Sequence, residues 1–281
     1  MSKRPQWWLP VLARIWPITW NSARFVAWVR PLPVLGKIIE DLSVPLFAGK
    51  NLNVSYIPIN QEIQGAQNSI LPRSVVENLI RNSAHRVIIN TCTCRDARQC
   101  ENYPVDFGCL QLGEGTRQID PRIARHVSVD EAIEHLDRGL ELGLIPMVGR
   151  VKIDDLLWGV KDTGQLLAVC FCCRCCCTIL NSGKYWPKRA SDSIKRLKGL
   201  RIVHIKEACV SCGNCVDECF MGALSMGEVI SINDDLCKGC GRCVALCPAG
   251  AMQARVDDLD AAVNELMGRI ETLIDYGPPE Q

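Results

Sequence analysis

Eight of the eighteen cysteines in this chain fall into two copies of one spacing, CxxCxxCxxxC: Cys209, Cys212, Cys215 and Cys219, then Cys237, Cys240, Cys243 and Cys247. Each cysteine of the second copy follows its counterpart by 28 residues. CVSCGNCVDECFMGALS reads against CKGCGRCVALCPAGAMQ with the glycines after the second cysteines aligned. The unit is an internal duplication. Cysteines at i, i+3 and i+6 can wrap three thiolates around one face of a soft metal centre, and a distant fourth closes the cage. Structural zinc also takes four cysteines, but it usually pairs one CxxC with another and does not run three in a row.

The duplicated run resembles the bacterial-type ferredoxin with two 4Fe-4S clusters, in which three cysteines of each run hold one cluster and the fourth crosses to the other. The resemblance implies one cluster on Cys209, Cys212, Cys215 and Cys247, and a second on Cys237, Cys240, Cys243 and Cys219. Pro248 follows the last cysteine, whereas the first repeat carries Phe220 at the matching place. That departure leaves the ligands intact and bears on solvent access beside Cys219, hence on potential.

This unit, about 201–256, occupies only part of a 281-residue chain, which is long enough for about two domains. A net charge of +1 with 48% hydrophobic residues excludes a disordered chain and a nucleic-acid binder by bulk charge. Clustered cysteines at metal spacings point to a reducing compartment, so the cytoplasm is expected. Five of seven tryptophans (Trp7, Trp8, Trp16, Trp20, Trp28) fall within the first 28 residues, among Arg14, Arg24 and Arg30. No uncharged run there is long enough to span a membrane. The arm 1–50 reads either as a segment lying in a membrane interface, on the inner face, or as one packing on its own core or on a partner subunit.

Between 51 and 182 lie ten further cysteines in two groups: Cys92, Cys94, Cys100 and Cys109, then Cys170, Cys172, Cys173, Cys175, Cys176 and Cys177 in the run CFCCRCCC. LPRSVVENLIRN has helical apolar spacing, and RVIIN reads as a buried strand that delivers the first group to the following loop. Ser128 and Glu131 form a candidate capping box, with Gly143 placed to end that helix. A second apolar stretch, LLAVC, delivers the second group to what is expected to be the same place, making one composite site. In an extended chain Cys170, Cys172 and Cys176 face one way and Cys173, Cys175 and Cys177 the other, so two centres, or one larger centre, follow more easily than a single plain cubane. At least one additional iron–sulfur cluster is expected in 92–177. Arg95 and Arg174 stand beside the thiols, where a cation offsets negative charge. The four histidines, His85, His126, His135 and His204, lie outside the cysteine runs, so a cysteine–histidine nucleophile is not indicated. The order CTCR, a cysteine before Pro104, GCL, a DEA helix and CFCCRCCC resembles an uncharacterised family of 4Fe-4S-binding proteins, mostly from anaerobic bacteria. That family carries this domain ahead of a two-cluster ferredoxin, and the resemblance implies clusters without implying a reaction.

Residues 183–200 read as a basic linker that partly neutralises the acidic duplicated unit, with nucleic-acid binding the weakest use of those charges. The stripe Val256, Leu259, Val263, Leu266, Ile270 and Leu273 reads as an amphipathic helix within the tail 257–281. The expected fold class is α+β: a ferredoxin-type two-cluster domain plus a cysteine-rich α/β domain with an additional metal-cluster site. The expected function is electron transfer, as a subunit or partner of a larger anaerobic oxidoreductase. A reductase using the Cys170–Cys177 site as its catalytic cluster and an iron–sulfur cluster carrier are the rivals. No catalytic residue is assigned.

Overall fold

The computed structural model describes residues 50–58, 63–64, 71–161, 163–183 and 185–277, with positions 25, 28, 29, 31, 32, 34, 36–38 and 41 of the amino-terminal arm. Trp7, Trp8, Trp16 and Trp20, and with them the test of the interfacial arm, lie outside the described residues. Trp28 is exposed, its ring centroid 6.0 Å from that of Phe25. No helix among the described residues is long and apolar enough to cross a membrane.

Strands of β-branched and apolar residues build one seven-stranded sheet. Its order is β5 (Ala124–His126), β3 (Arg86–Ile89), β4 (Leu110–Leu112), β7 (Leu167–Cys172), β6 (Ile145–Val151), β1 (Leu52–Tyr56) and β8 (Ile194–Lys195), numbered along the chain. All neighbours are antiparallel except β1 and β8. The sheet is covered on both faces, so its central strands are apolar on both sides. On one face Leu110, Leu112, Leu167, Val169 and Phe171 pack against α1 (Leu71–Asn82), α2 (Val129–Glu141) and α3 (Leu259–Glu271). On the other, Ala168, Cys172 and Met147 join a separate cluster that also holds Phe220 and Met221.

The helices end where local chemistry predicts. Ser128 Oγ accepts from Glu131 N at 3.2 Å while Ser128 N donates to the Glu131 carboxylate at 2.8 Å, the reciprocal cap of α2. Gly143, at φ 71°, lies just beyond the last turn. In α3 Leu266 and Ile270 are buried on the helical face of the large sheet, whereas Val256 belongs to a strand.

The duplicated unit is bracketed by β9 (Leu200–His204) and β12 (Met252–Val256), which pair antiparallel, with β2 (Ile63–Gln64) added parallel to β12. Inside it β10 (Leu224–Met226) and β11 (Ile230–Ile232) form a ribbon. Two one-turn helices, Asn214–Asp217 and Arg242–Ala245, each start after a left-handed glycine, Gly213 at φ 79° and Gly241 at φ 75°. The aligned glycines of the two repeats thus turn the chain at the same point of each cysteine loop. The segment 183–200 is more than a spacer, since β8 within it extends the large sheet.

Candidate metal centres

In the duplicated unit Cys209, Cys212 and Cys215 line one cavity together with Cys247, and Cys237, Cys240 and Cys243 line another together with Cys219. Backbone N–H groups are directed at the sulfurs: Ser211 N donates to Cys209 Sγ (3.4 Å), Ala223 N to Cys219 Sγ (3.3 Å) and Ala251 N to Cys247 Sγ (3.2 Å). Four soft donors per cavity with amide donors to sulfur suit a cubane, whose charge such hydrogen bonds stabilise. Burial pushes the Cys240 thiol up to about 12, and a metal centre bound there would offset that penalty by stabilising the thiolate.

The ten remaining cysteines sort into two sets, each drawing on both sequence groups. Cys100, Cys173, Cys175 and Cys176 have sulfur atoms all within 4.8 Å of one another, with Cys100 and Cys175 at 3.5 Å. Four thiolates around one tetrahedral ion with bonds of about 2.3 Å would stand roughly 3.8 Å apart. Among the described residues no other group of three or more metal-ligating side chains is drawn this close. Burial raises the Cys173 thiol to about 12. Burial also opposes ionisation of Cys100, but hydrogen bonds from Cys176, from the Asn102 and Tyr103 backbones and from Cys175 outweigh it and leave Cys100 below its usual value. These four residues sit in the core beneath the helices.

Cys92, Cys94, Cys109, Cys170, Cys172 and Cys177 line a cavity of about 250 Å³, which Cys173 of the first set also borders. Cys172 and Cys177 are 3.3 Å apart, and Cys94 Sγ lies 3.3 Å from Thr178 Oγ1. The partition follows from strand geometry. Along β7 residues 167, 169 and 171 face the helices while 168, 170 and 172 face away, and Cys109 stands two residues from Gln111 on that second face. The strand ends at Cys172, and the alternation expected to run on through Cys177 ends with it. In the turn that follows, Cys176 joins Cys173 and Cys175, while Cys177 returns to the side of Cys172. The two sequence groups thus contribute jointly to two neighbouring sets of thiols, and Cys173 borders both.

Arg95 is fully buried and donates to the carbonyl of Phe171 (3.0 Å) and to that of Phe107. Burial disfavours its charge, but Cys92, Cys173 and Cys109 outweigh that penalty, so the guanidinium stands between thiols of both sets. Arg174 has another role. The carboxylate of Glu218 accepts from Arg174 and also from Arg242 Nη2 (2.7 Å), tying the cysteine-rich turn to the duplicated unit. Next to this tie Phe220 is buried, its ring centroid 6.1 Å from that of Tyr56. Tyr56 itself has its pKa raised well above the usual value, first by burial and then by Cys172, Cys177, Cys240 and Cys170. It thus neighbours cysteines of both halves of the molecule.

His135 is a core residue, stacked on Phe107 at 4.0 Å with its Nε2 3.0 Å from the Gly108 carbonyl oxygen, and does not reach a thiol. Three residues at the second site escaped the sequence reading. Asp154, a buried acid beside the six-cysteine cavity, has its carboxyl pushed up to about 7 by burial. Trp158 lines the same cavity. Tyr56 lies some thirty-five residues before the first cysteine, and the only signal for it was its place in an apolar strand.

Residues 208–251 match the family of the 4Fe-4S dicluster domain. No curated protein and no solved structure matches the chain. The protein is therefore a mixed α/β iron–sulfur protein in which a carboxyl-terminal dicluster domain, implying two 4Fe-4S clusters, accompanies a cysteine-rich sheet domain. The particular addition in this chain is the four-cysteine group, a further candidate metal site.

Proposed function

We propose that this iron–sulfur electron-transfer protein relays single electrons between the two clusters of its dicluster domain and a thiolate-bound iron centre in the sheet domain, as a subunit or redox partner of a larger oxidoreductase. The observation that carries the reading is the docking of the two halves through their cysteine loops. Glu218, next to Cys219, is bound by Arg174 from the middle of the CFCCRCCC run, while Tyr56 adjoins Cys240 as well as Cys172. The dicluster clusters are assigned to Cys209, Cys212, Cys215 and Cys247, and to Cys237, Cys240, Cys243 and Cys219. The cysteines Cys100, Cys173, Cys175 and Cys176 hold the further centre. The protein supplies ligands, charge and shielding, and the clusters carry the redox chemistry.

The test is stepwise reduction of anaerobically purified protein followed by electron paramagnetic and Mössbauer spectroscopy, with metal analysis. Iron at the Cys100 group whose oxidation state changes after the dicluster clusters are reduced is the expected result. Zinc there, which has no redox chemistry, would overturn the relay. Glu218→Ala, which removes the carboxylate that both arginines share, should slow equilibration between the halves about tenfold if roughly 1.4 kcal/mol of docking energy is lost, with the iron content unchanged.

A further inference from the structure

Of the cysteines outside the dicluster domain, the four-residue group suffices for one metal site and leaves six thiols over. Those six, Cys92, Cys94, Cys109, Cys170, Cys172 and Cys177, arrive from the loop after β3, the entry to β4, and the end of β7, and they converge on one cavity. Three of them, Cys92, Cys172 and Cys177, are buried. The size of the cavity is informative because the same molecule supplies a scale. The cavities lined by the two dicluster cysteine sets measure about 10 and 30 Å³, against about 250 Å³ here. Four thiolates complete a cubane, so six exceed what one requires. Trp158 also lines the cavity and is buried.

We propose that these six cysteines bind an iron–sulfur cluster of more than four irons, distinct from the centre on the Cys100 group, whose Cys173 borders the same cavity. The proposal extends the relay reading, since Tyr56 packs in one cluster with Cys172 and Cys177 and with Cys240 of the dicluster domain, but it does not depend on electrons being exchanged. Leu52, Met147 and Leu157 give the remaining wall an apolar part, beside the polar Arg95 and Asp154.

The test is iron and acid-labile sulfide content, with Mössbauer spectra of 57Fe-enriched full-length protein kept anaerobic. The wild type is compared with Cys172→Ser/Cys177→Ser and with Cys175→Ser/Cys176→Ser. The first variant should lose more than four irons per chain while the resonances of the dicluster domain persist, and the second should retain that iron. A loss of four irons would reduce the site to a single cubane and overturn the proposed size. No loss would overturn the site itself. If the first variant fails to fold, the wild-type Mössbauer areas decide, because irons beyond the eight of two cubanes must exceed by more than four those lost in the second variant. Zinc, or iron that does not change oxidation state, at the Cys100 group would sink the relay and leave this site standing.

Discussion

Tyr56 is fully buried, yet its hydroxyl has no hydrogen-bond partner among the described residues. An unsatisfied buried hydroxyl costs about 1–3 kcal/mol, so Tyr56→Phe should leave stability unchanged or raise it by about 1 kcal/mol, with full iron content, in chemical denaturation under argon. A clear loss of stability would mean that the hydroxyl has a partner, such as a cluster sulfur. His135 makes a prediction of opposite character. Burial depresses its pKa to about 4, against an ordinary 6.5. As pH falls below about 6.5 the unfolded chain takes up a proton that the folded chain refuses, so stability is complete above that pH and declines toward pH 4. At about 1.4 kcal/mol per pH unit the cost between pH 7 and pH 5 is about 2 kcal/mol. His135→Gln should flatten the stability profile over that interval by about this amount. Phe220, visible in the sequence as a departure where Pro248 marks the other repeat, acquires a reason in the structure. It fills the apolar seam between the dicluster domain and β1.

At the scale of single elements, much was legible. The α1 periodicity, the buried strand β3, the capping box of α2 and its terminating glycine all follow from local rules, because each depends on residues within a few positions of one another. The partition of the CFCCRCCC run was legible only as far as Cys172, because alternation holds while a strand lasts and the length of a strand is set by its neighbours. Here β6 pairs with β7 from Ala168 to Cys172 and no further. Pairing partners are tertiary information, which is why the alternation of an extended chain does not carry over to Cys176 and Cys177. Gly139 on α2 tests how closely the helical layer determines this strand. A Cβ there would lie 2.6 Å from the Phe171 ring. Gly139→Ala should therefore cost about 1–3 kcal/mol by overpacking and disturb the residue between Cys170 and Cys172, which denaturant midpoints and sheet-domain iron content would register together.

On the scale of the molecule, the two halves are interleaved in sequence. The basic segment contributes β8 to the large sheet, β2 pairs with β12 of the dicluster half, and α3 crosses back to cover the helical face. None of this is written in local periodicity, since the stripe of α3 specifies an apolar face and not what it meets. Arg196 reaches Asp234 at 2.7 Å, so at this point basic segment and acidic lobe are joined by an ion pair. Ending the chain after Asp257 would strip Leu266, Ile270, Ile274 and Tyr276 from the core. At about 2 kcal/mol for each buried side chain, roughly 8 kcal/mol is at stake, comparable with the whole stability of a domain. The truncated protein should lose the iron of the sheet domain and keep the resonances of the dicluster domain. Retention of all iron would show that α3 is dispensable. The end of β7 at Cys172 has one more consequence, for how this chain can change over time. Most substitutions in the cysteine run alter one centre at a time, but deleting a single residue between Val169 and Cys173 would move every later thiol one place back along the strand and turn. Both centres would then lose their ligand sets in one event, so this stretch should tolerate changes of letter far better than changes of length.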